Sequence, residues 1–321
     1  MPTSTQSQLS LYTNALGQEQ FIPILSYNSN KAGRKILLTC LNHGNEIIGA
    51  MSALQVFNQA KSDPNFTGEI IVMSCLNQAG MERNSRFFEA DNLYDTHTQN
   101  LNRNFGTNGS SLTSMVANTI LEFIVAEQPD LVIDCHSYSA NSLVHIILDC
   151  PGGEQETNLI QLAQKSKIPF YLEYEATTLA EQKLDYCLSN QLLLRGILAI
   201  TIELGPQFGF DNQQLQTATQ ALSNLVLNEA KNDLYQLQNT NYNRKGLFFR
   251  ESILNESQHC GILHYTAKLG QMINKGTEIA KIYDLFGNVV HTVLIPKDGI
   301  IFVWSNNNYT YPKSQLAVIV V

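Results

Sequence analysis

The chain has 321 residues, 44% of them hydrophobic and 15% charged. That is enough apolar material for a packed core, which excludes a largely disordered chain, and too much length for one small domain. Twenty Lys and Arg stand against 28 Asp and Glu, a formal charge of −8 with no basic run, so the general field of the protein does not favour nucleic acid or an anionic membrane.

The first stretch, from Met1 to Gln20, is polar and carries no apolar signal core. No apolar run approaches the roughly 18 residues of a membrane span. Six cysteines, at 40, 75, 135, 150, 187 and 260, form no CxxC pair. They read as free thiols of a reducing compartment, and a cytoplasmic protein is the expectation.

Short apolar runs then alternate with helical patterns. Lys35 to Cys40 reads as a buried strand, Glu46 to Ala60 as a helix, and Glu69 to Ser74 as a second strand. Ser114 to Glu127 reads as a helix ended by Pro129. Leu131 to Asp134, Val144 to Leu148 and Leu198 to Glu203 read as further strands, and Asp211 to Leu237 as a long amphipathic helix. Strands alternating with helices predict an α/β layered domain with a mostly parallel sheet, whose ligands bind outside the carboxyl ends of the strands.

The pattern changes after about residue 241. From Gly246 onward short β-like runs are punctuated by Gly, and the Asn- and Gln-rich stretch from Gln236 to Asn243 suits a linker. The expected division is a larger domain over 1–240 and a small all-β unit over 241–321.

Four signals carry chemistry. Asn42-His43-Gly44-Asn45-Glu46 follows one strand and opens a helix, so an imidazole and a carboxylate can converge on one metal ion. Alone, it fits equally a loop histidine beside a helix-capping glutamate. Asp134-Cys135-His136 sets a second imidazole at a strand's carboxyl end; alone, it is a polar residue closing a strand. Two His and one Glu, with a fourth position left for water, make the ligand set of a catalytic zinc. Glu203 closes an apolar strand in Ile202-Glu203-Leu204-Gly205, where a base for zinc-bound water would sit, or a surface ion pair. Arg86 and Arg103, the latter within Asn100-Leu101-Asn102-Arg103-Asn104-Phe105, are suited to carboxylates by their planar forks, or are simply exposed loop arginines. Cys135 beside His136 makes no nucleophile pair, because adjacent strand residues face opposite ways.

In this order the elements resemble the succinylglutamate desuccinylase/aspartoacylase family of the zinc carboxypeptidase-like clan, from about Lys35 to Val321. The resemblance implies a zinc-carboxypeptidase-like three-layer α/β sandwich with a mostly parallel mixed sheet, followed by a small β-barrel similar to lipoyl domains. It implies one zinc per chain held by His43, Glu46 and His136. Arg86 would stabilise the oxyanion, Asn102 and Arg103 would hold the substrate's carboxylate, and Glu203 would act as base and then acid. The implied activity is hydrolysis of the amide bond in a small N-acyl amino acid. The rivals are a metallocarboxypeptidase acting on short peptides and a zinc-binding interaction module without catalysis. Leu41-Asn42 and Gly106 depart from many relatives and bear on which substrate is taken. The β unit lacks the lysine hairpin of a lipoate or biotin carrier, Tyr265 is a candidate to complete the pocket, and sheet or barrel edges leave room for a homodimer.

Overall fold

A computed structural model describes residues 1–88, 96–149, 152–173, 184–227, 250–254 and 256–321. Eight strands, β1 (Thr3–Thr13), β2 (Glu19–Asn28), β3 (Lys35–Cys40), β4 (Glu69–Met73), β5 (Leu131–His136), β6 (His145–Asp149), β7 (Phe170–Glu173) and β8 (Ala199–Glu203), form one sheet. Their spatial order is β1-β2-β4-β3-β5-β8-β6-β7. The central strands β4, β3, β5 and β8 run parallel, as do β6 and β7. The pairs β1/β2, β2/β4 and β6/β8 are antiparallel.

Strands β3 and β5 are apolar and buried at nearly every position, which requires cover on both faces. Helix Ile47–Ser62 supplies one cover. A Cβ at its Gly49 would stand 3.1 Å from the Cys135 Cβ, so the helix lies on the face that carries Cys135. Helix Asn212–Val226 packs beside it, with Thr219 and Ser223 donating to Gln55 and Gln59. Helix Leu188–Leu193 lies on the opposite face, where Thr201 donates to Ser189 at 3.4 Å. That second face carries Asp134 and His136, two residues apart on β5.

The predicted strands and helices from residue 35 to 226 are present with ends shifted by a few residues, and β5 extends two residues further, to His136. The β1/β2 hairpin and helix Gly153–Ser166 are additional. The end of the long helix predicted to Leu237, and the predicted linker, lie outside the described residues.

The C-terminal strands β9 (Arg250–Leu254), β10 (Gly261–Tyr265), β11 (Met272–Ile273), β12 (Glu278–Tyr283), β13 (Val289–Leu294), β14 (Gly299–Trp304), β15 (Tyr309–Thr310) and β16 (Gln315–Val320) form two further sheets. Their orders are β13-β12-β10-β15 and β11-β14-β16-β9, and Ile279, Ile282, Ile301, Trp304 and Ile319 are buried in one core. Strand β14 also faces the large sheet. Ile300, Phe302 and Val303 bury against Ile147 and Tyr171, and Leu143 and Trp304 donate backbone hydrogen bonds to Phe302 and Asn141. No helix among the described residues is long and apolar enough to cross a membrane.

Candidate metal centre and active site

Strands β3 and β5 are parallel neighbours with Cys40 opposite Cys135, and their carboxyl ends release the two histidine segments side by side. From β3 the chain turns through Leu41, which adopts a left-handed φ of 55°. It then passes His43 and enters helix Ile47–Ser62. Gly44 is required by close packing, since a Cβ there would lie 2.1 Å from the Gly80 carbonyl carbon. Glu46 stands at the helix N-cap but makes no capping hydrogen bond; its carboxylate is turned into the site.

His43 Nδ1 lies 2.9 Å from Glu46 Oε1, and His136 Nδ1 lies 2.9 Å from Glu46 Oε2. The two Nδ1 atoms are 3.2 Å apart. Arg86 Nη1 and the Ser137 amide donate to the same carboxylate at 3.1 and 3.0 Å. The ligand atoms of His43, Glu46 and His136 all fall within 4.8 Å of one another, and all three residues are buried.

The far ring nitrogens explain the arrangement. His43 Nε2 meets Asn100 Oδ1 at 3.1 Å, an oxygen that already accepts the Asn102 amide at 3.0 Å. His136 Nε2 meets Asp134 Oδ2 at 2.8 Å, and Asp134 is itself held by Thr39 and Asn42. Asn100 and Asp134 offer each Nε2 an acceptor, and in the tautomer protonated there each Nδ1 presents a lone pair beside the Glu46 carboxylate. Two lone pairs and an anion converging without a proton are a donor set for a cation, and the residues fit a divalent metal. Burial opposes the charge on Glu46, but the facing histidines outweigh it and hold its pKa well below the usual carboxylate range. Burial, then Arg86, lowers His43 to about 4. Burial works against a charged His136 as well, yet Asp134 and Glu46 raise its pKa well above the ordinary value.

A cavity of about 350 Å³ opens over this cluster and is lined by Arg86, Asn102, Arg103 and Glu203 as well. His43, Glu46, Arg86, Asn102, Arg103, His136 and Glu203 therefore line one cleft. Glu203 is 7% exposed, and its Oε2 has no hydrogen-bond partner. Burial raises its pKa to about 8 against the pull of His136 and Arg86. Asn102 is held on three sides: its Oδ1 accepts from the Leu188 amide at 2.9 Å, its Nδ2 lies 3.3 Å from His136 Nε2, and its main-chain oxygen accepts Arg103 Nη1 at 2.7 Å. Tyr265 does not complete the pocket. Its hydroxyl donates to the Leu316 carbonyl, and its ring stacks on Trp304 at 4.2 Å inside the C-terminal core. Gln315 of β16 lines the cavity instead. The outer partners Asp134 and Asn100 went unassigned in the sequence, although Asp134 was legible, because a D-x-H on a strand puts both side chains on one face.

Residues 32–228 match the model of the succinylglutamate desuccinylase/aspartoacylase catalytic domain. Over 280 residues the chain is 25% identical to an N-alpha-acetyl-L-2,4-diaminobutyric acid deacetylase of Halomonas elongata, covering 84% of this chain and 77% of that protein. A crystal structure of a succinylglutamate desuccinylase from Silicibacter sp. TM1040 superposes with a TM-score of 0.76 at 18% identity, over 100% of this chain and 94% of that one. A metallo-carboxypeptidase of Burkholderia cenocepacia superposes with a TM-score of 0.53 at 13% identity, over 70% of this chain and 65% of that one. The fold is thus the mixed α/β sheet related to metallocarboxypeptidases, extended by the C-terminal antiparallel sheets. With more than half its length inside the family's catalytic model, the chain belongs to the succinylglutamate desuccinylase/aspartoacylase family.

Proposed function

We propose that this chain is a zinc-dependent hydrolase that cleaves the amide bond of a small N-acyl amino acid. The observation that carries the reading is the convergence of the two Nδ1 lone pairs and the Glu46 carboxylate in the same cavity as the unpartnered Oε2 of Glu203. Family membership supports it, and so does the relative named as a deacetylase of an N-acetylated amino acid.

His43, Glu46 and His136 are the zinc ligands, a two-histidine, one-carboxylate set of the catalytic rather than the structural kind. The ion, when bound, supplies Lewis acidity and an acidified water. Glu203 takes the proton from the attacking water and hands it to the leaving amine. Its burial-raised pKa is opposed by the cations around it, and a divalent charge would act in the same direction, towards the neutral range in which a group can both accept and release a proton. Arg86, with its side chain 37% exposed and one nitrogen on Glu46, donates to the oxyanion that develops on the acyl carbonyl; a donor of this kind contributes about 3 kcal/mol. Arg103 binds the substrate's carboxylate, and Asn102 aids it by fixing its guanidinium. Gln315 narrows the cavity from the C-terminal side, which favours a small substrate over the peptide of a carboxypeptidase.

Elemental analysis together with a panel of N-acyl amino acids, assayed with and without chelator, tests the reading. One zinc per chain and a chelator-sensitive hydrolysis restored by zinc are expected. Release of C-terminal residues from short peptides, with no deacylation, would transfer the chain to the carboxypeptidases. Stoichiometric zinc with neither activity would leave a binding module.

A further inference from the structure

The two C-terminal sheets share one core but differ in what covers their outer faces. Sheet β11-β14-β16-β9 turns Ile300 and Phe302 towards the large sheet. Sheet β13-β12-β10-β15 lies on the far side of the shared core, into which its Leu263 and Ile282 point. Ile262 and Tyr283, their neighbours along β10 and β12, therefore face outwards. Tyr309 is the register partner of Ile262, Ile262 of Tyr283, and Tyr283 of Val289. Register partners share a face, so these four side chains make a continuous row across all four strands. Alternation would put polar residues on a solvated face of an antiparallel sheet, yet Tyr309, Ile262 and Val289 are exposed and Tyr283 is half-buried. The turn from β12 to β13 prolongs the row with Leu285 and Phe286, which are 89% and 92% exposed. That turn is fixed. Asp284 accepts from the Phe286 and Asn288 amides at 2.8 and 2.9 Å and from Asn288 Nδ2 at 2.9 Å, and Gly287 takes a left-handed φ of 87°. The two apolar side chains are thus already held outwards, and little backbone ordering is needed to present them to a partner.

We propose that this row is the interface of a homodimer, formed when two copies of the chain lay their outer C-terminal sheets face to face. Charge and area both select a second copy as the partner. Chains of formal charge −8 repel one another in most orientations. The row itself is uncharged, and the charges beside it are compensated locally: Lys281 lies 3.6 Å from Glu278, and the Asp284 carboxylate is held inside its own turn. Two such faces can meet without burying an unpaired charge. A two-fold axis through the row also matches it to itself, each aromatic end meeting the partner's aliphatic middle or its own counterpart. On the scale of about 150–250 Å² for an aromatic side chain, the six residues expose roughly 600 Å² per copy. That is the upper end of the ~300–600 Å² patch a monomer carries. Contact of the row with its copy removes about twice as much, which passes the roughly 1,000 Å² expected of a specific interface.

Sedimentation velocity of the full chain over about 1 to 100 µM tests this, since a contact of this modest size gives micromolar affinity. The wild type is expected to pass from monomer to dimer across that range. Phe286→Ser and Ile262→Ser are each expected to raise the dissociation constant by about 10- to 100-fold. Leu194→Ser removes an apolar side chain that is 76% exposed elsewhere on the surface and is expected to leave the constant unchanged. At its exposure Phe286 touches almost nothing within one chain, so Phe286→Ser keeps its fold, checked by a thermal melt of the dilute monomer. A wild type that remains monomeric at the highest concentration overturns the proposal. So does a dimer that neither row variant weakens, because it would use another surface. Flotation with vesicles of phosphatidylcholine and phosphatidylglycerol supplies the other arm: a monomer carried up with the vesicles, and released from them by Phe286→Ser, would make a lipid surface the occupant of the row and overturn the dimer.

Discussion

His136 can present a lone pair at Nδ1 only while its other nitrogen keeps the proton, and the Asp134 carboxylate at 2.8 Å from Nε2 is what keeps it there. Asp134→Asn offers that nitrogen an amide that can turn a donor towards it, so the wrong tautomer gains ground. We expect metal affinity to fall by about 10- to 100-fold, read by competition with a chromogenic chelator. Glu203→Gln acts on the other half of the site: turnover should fall by a factor of about 100 to 10,000 while zinc stoichiometry stays at the wild-type value. Asp149 yields a prediction about stability instead. Its carboxyl is raised from 3.8 to about 6 by burial and then Glu173, so the folded state holds this proton more tightly than the unfolded chain does. The stability this contributes is fully present below the unfolded value of 3.8 and is lost as pH rises through about 6. A shift of this size is worth on the order of 3 kcal/mol. Asp149→Asn should therefore melt several degrees above wild type near neutral pH and converge with it at about pH 4, in thermal melts across that range. An equal offset at every pH would contradict it.

The turn after β3 delivers both His43 and Glu46, and its path is set by how closely it approaches helix Gln78–Glu82. An alanine methyl at Gly44 would meet the Gly80 backbone, which cannot swing aside as a side chain can. Gly44→Ala should destabilise the fold by about 1–3 kcal/mol and lower the zinc bound per chain, measured together by denaturant titration and elemental analysis. Elements of this kind differ in how far the sequence reveals them. Buried parallel strands such as β3, β5 and β8 are mostly apolar and buried at nearly every position and stand out by hydropathy. Strand β1 is exposed and rich in Ser, Thr and Gln, so nothing in its pattern marks a strand until β2 is seen beside it. The cluster of His43, Glu46 and His136 was legible because each residue follows a recognisable strand or opens a helix. Asp149 and Glu173 were not, because they lie on separate short strands and only the pairing of β6 with β7 makes them neighbours.

The C-terminal strands matter to the site through one seam. After His136 the chain runs through Ser137 and Tyr138 along the cavity wall. It then exchanges backbone hydrogen bonds with β14, from Leu143 to Phe302 and from Trp304 to Asn141. Phe302 is fully buried there among Ile147, Tyr171 and Val318, with its ring 5.4 Å from that of His145. Ile147 lines the cavity, and Gln315, on the strand paired with β14, lines it from the other side. Phe302→Ala removes a large, fully buried side chain of the seam while leaving its backbone bonds in place, and should cost about 3–5 kcal/mol of stability. Because the proposed metal ligands stand on β5 and the turn after β3, metal content should hold. The cavity wall should loosen, so KM rises by a larger factor than kcat falls. Steady-state kinetics on the preferred N-acyl amino acid, with zinc content measured on the same preparation, separates this from simple unfolding, in which active fraction and bound zinc would decline together and KM would stay constant.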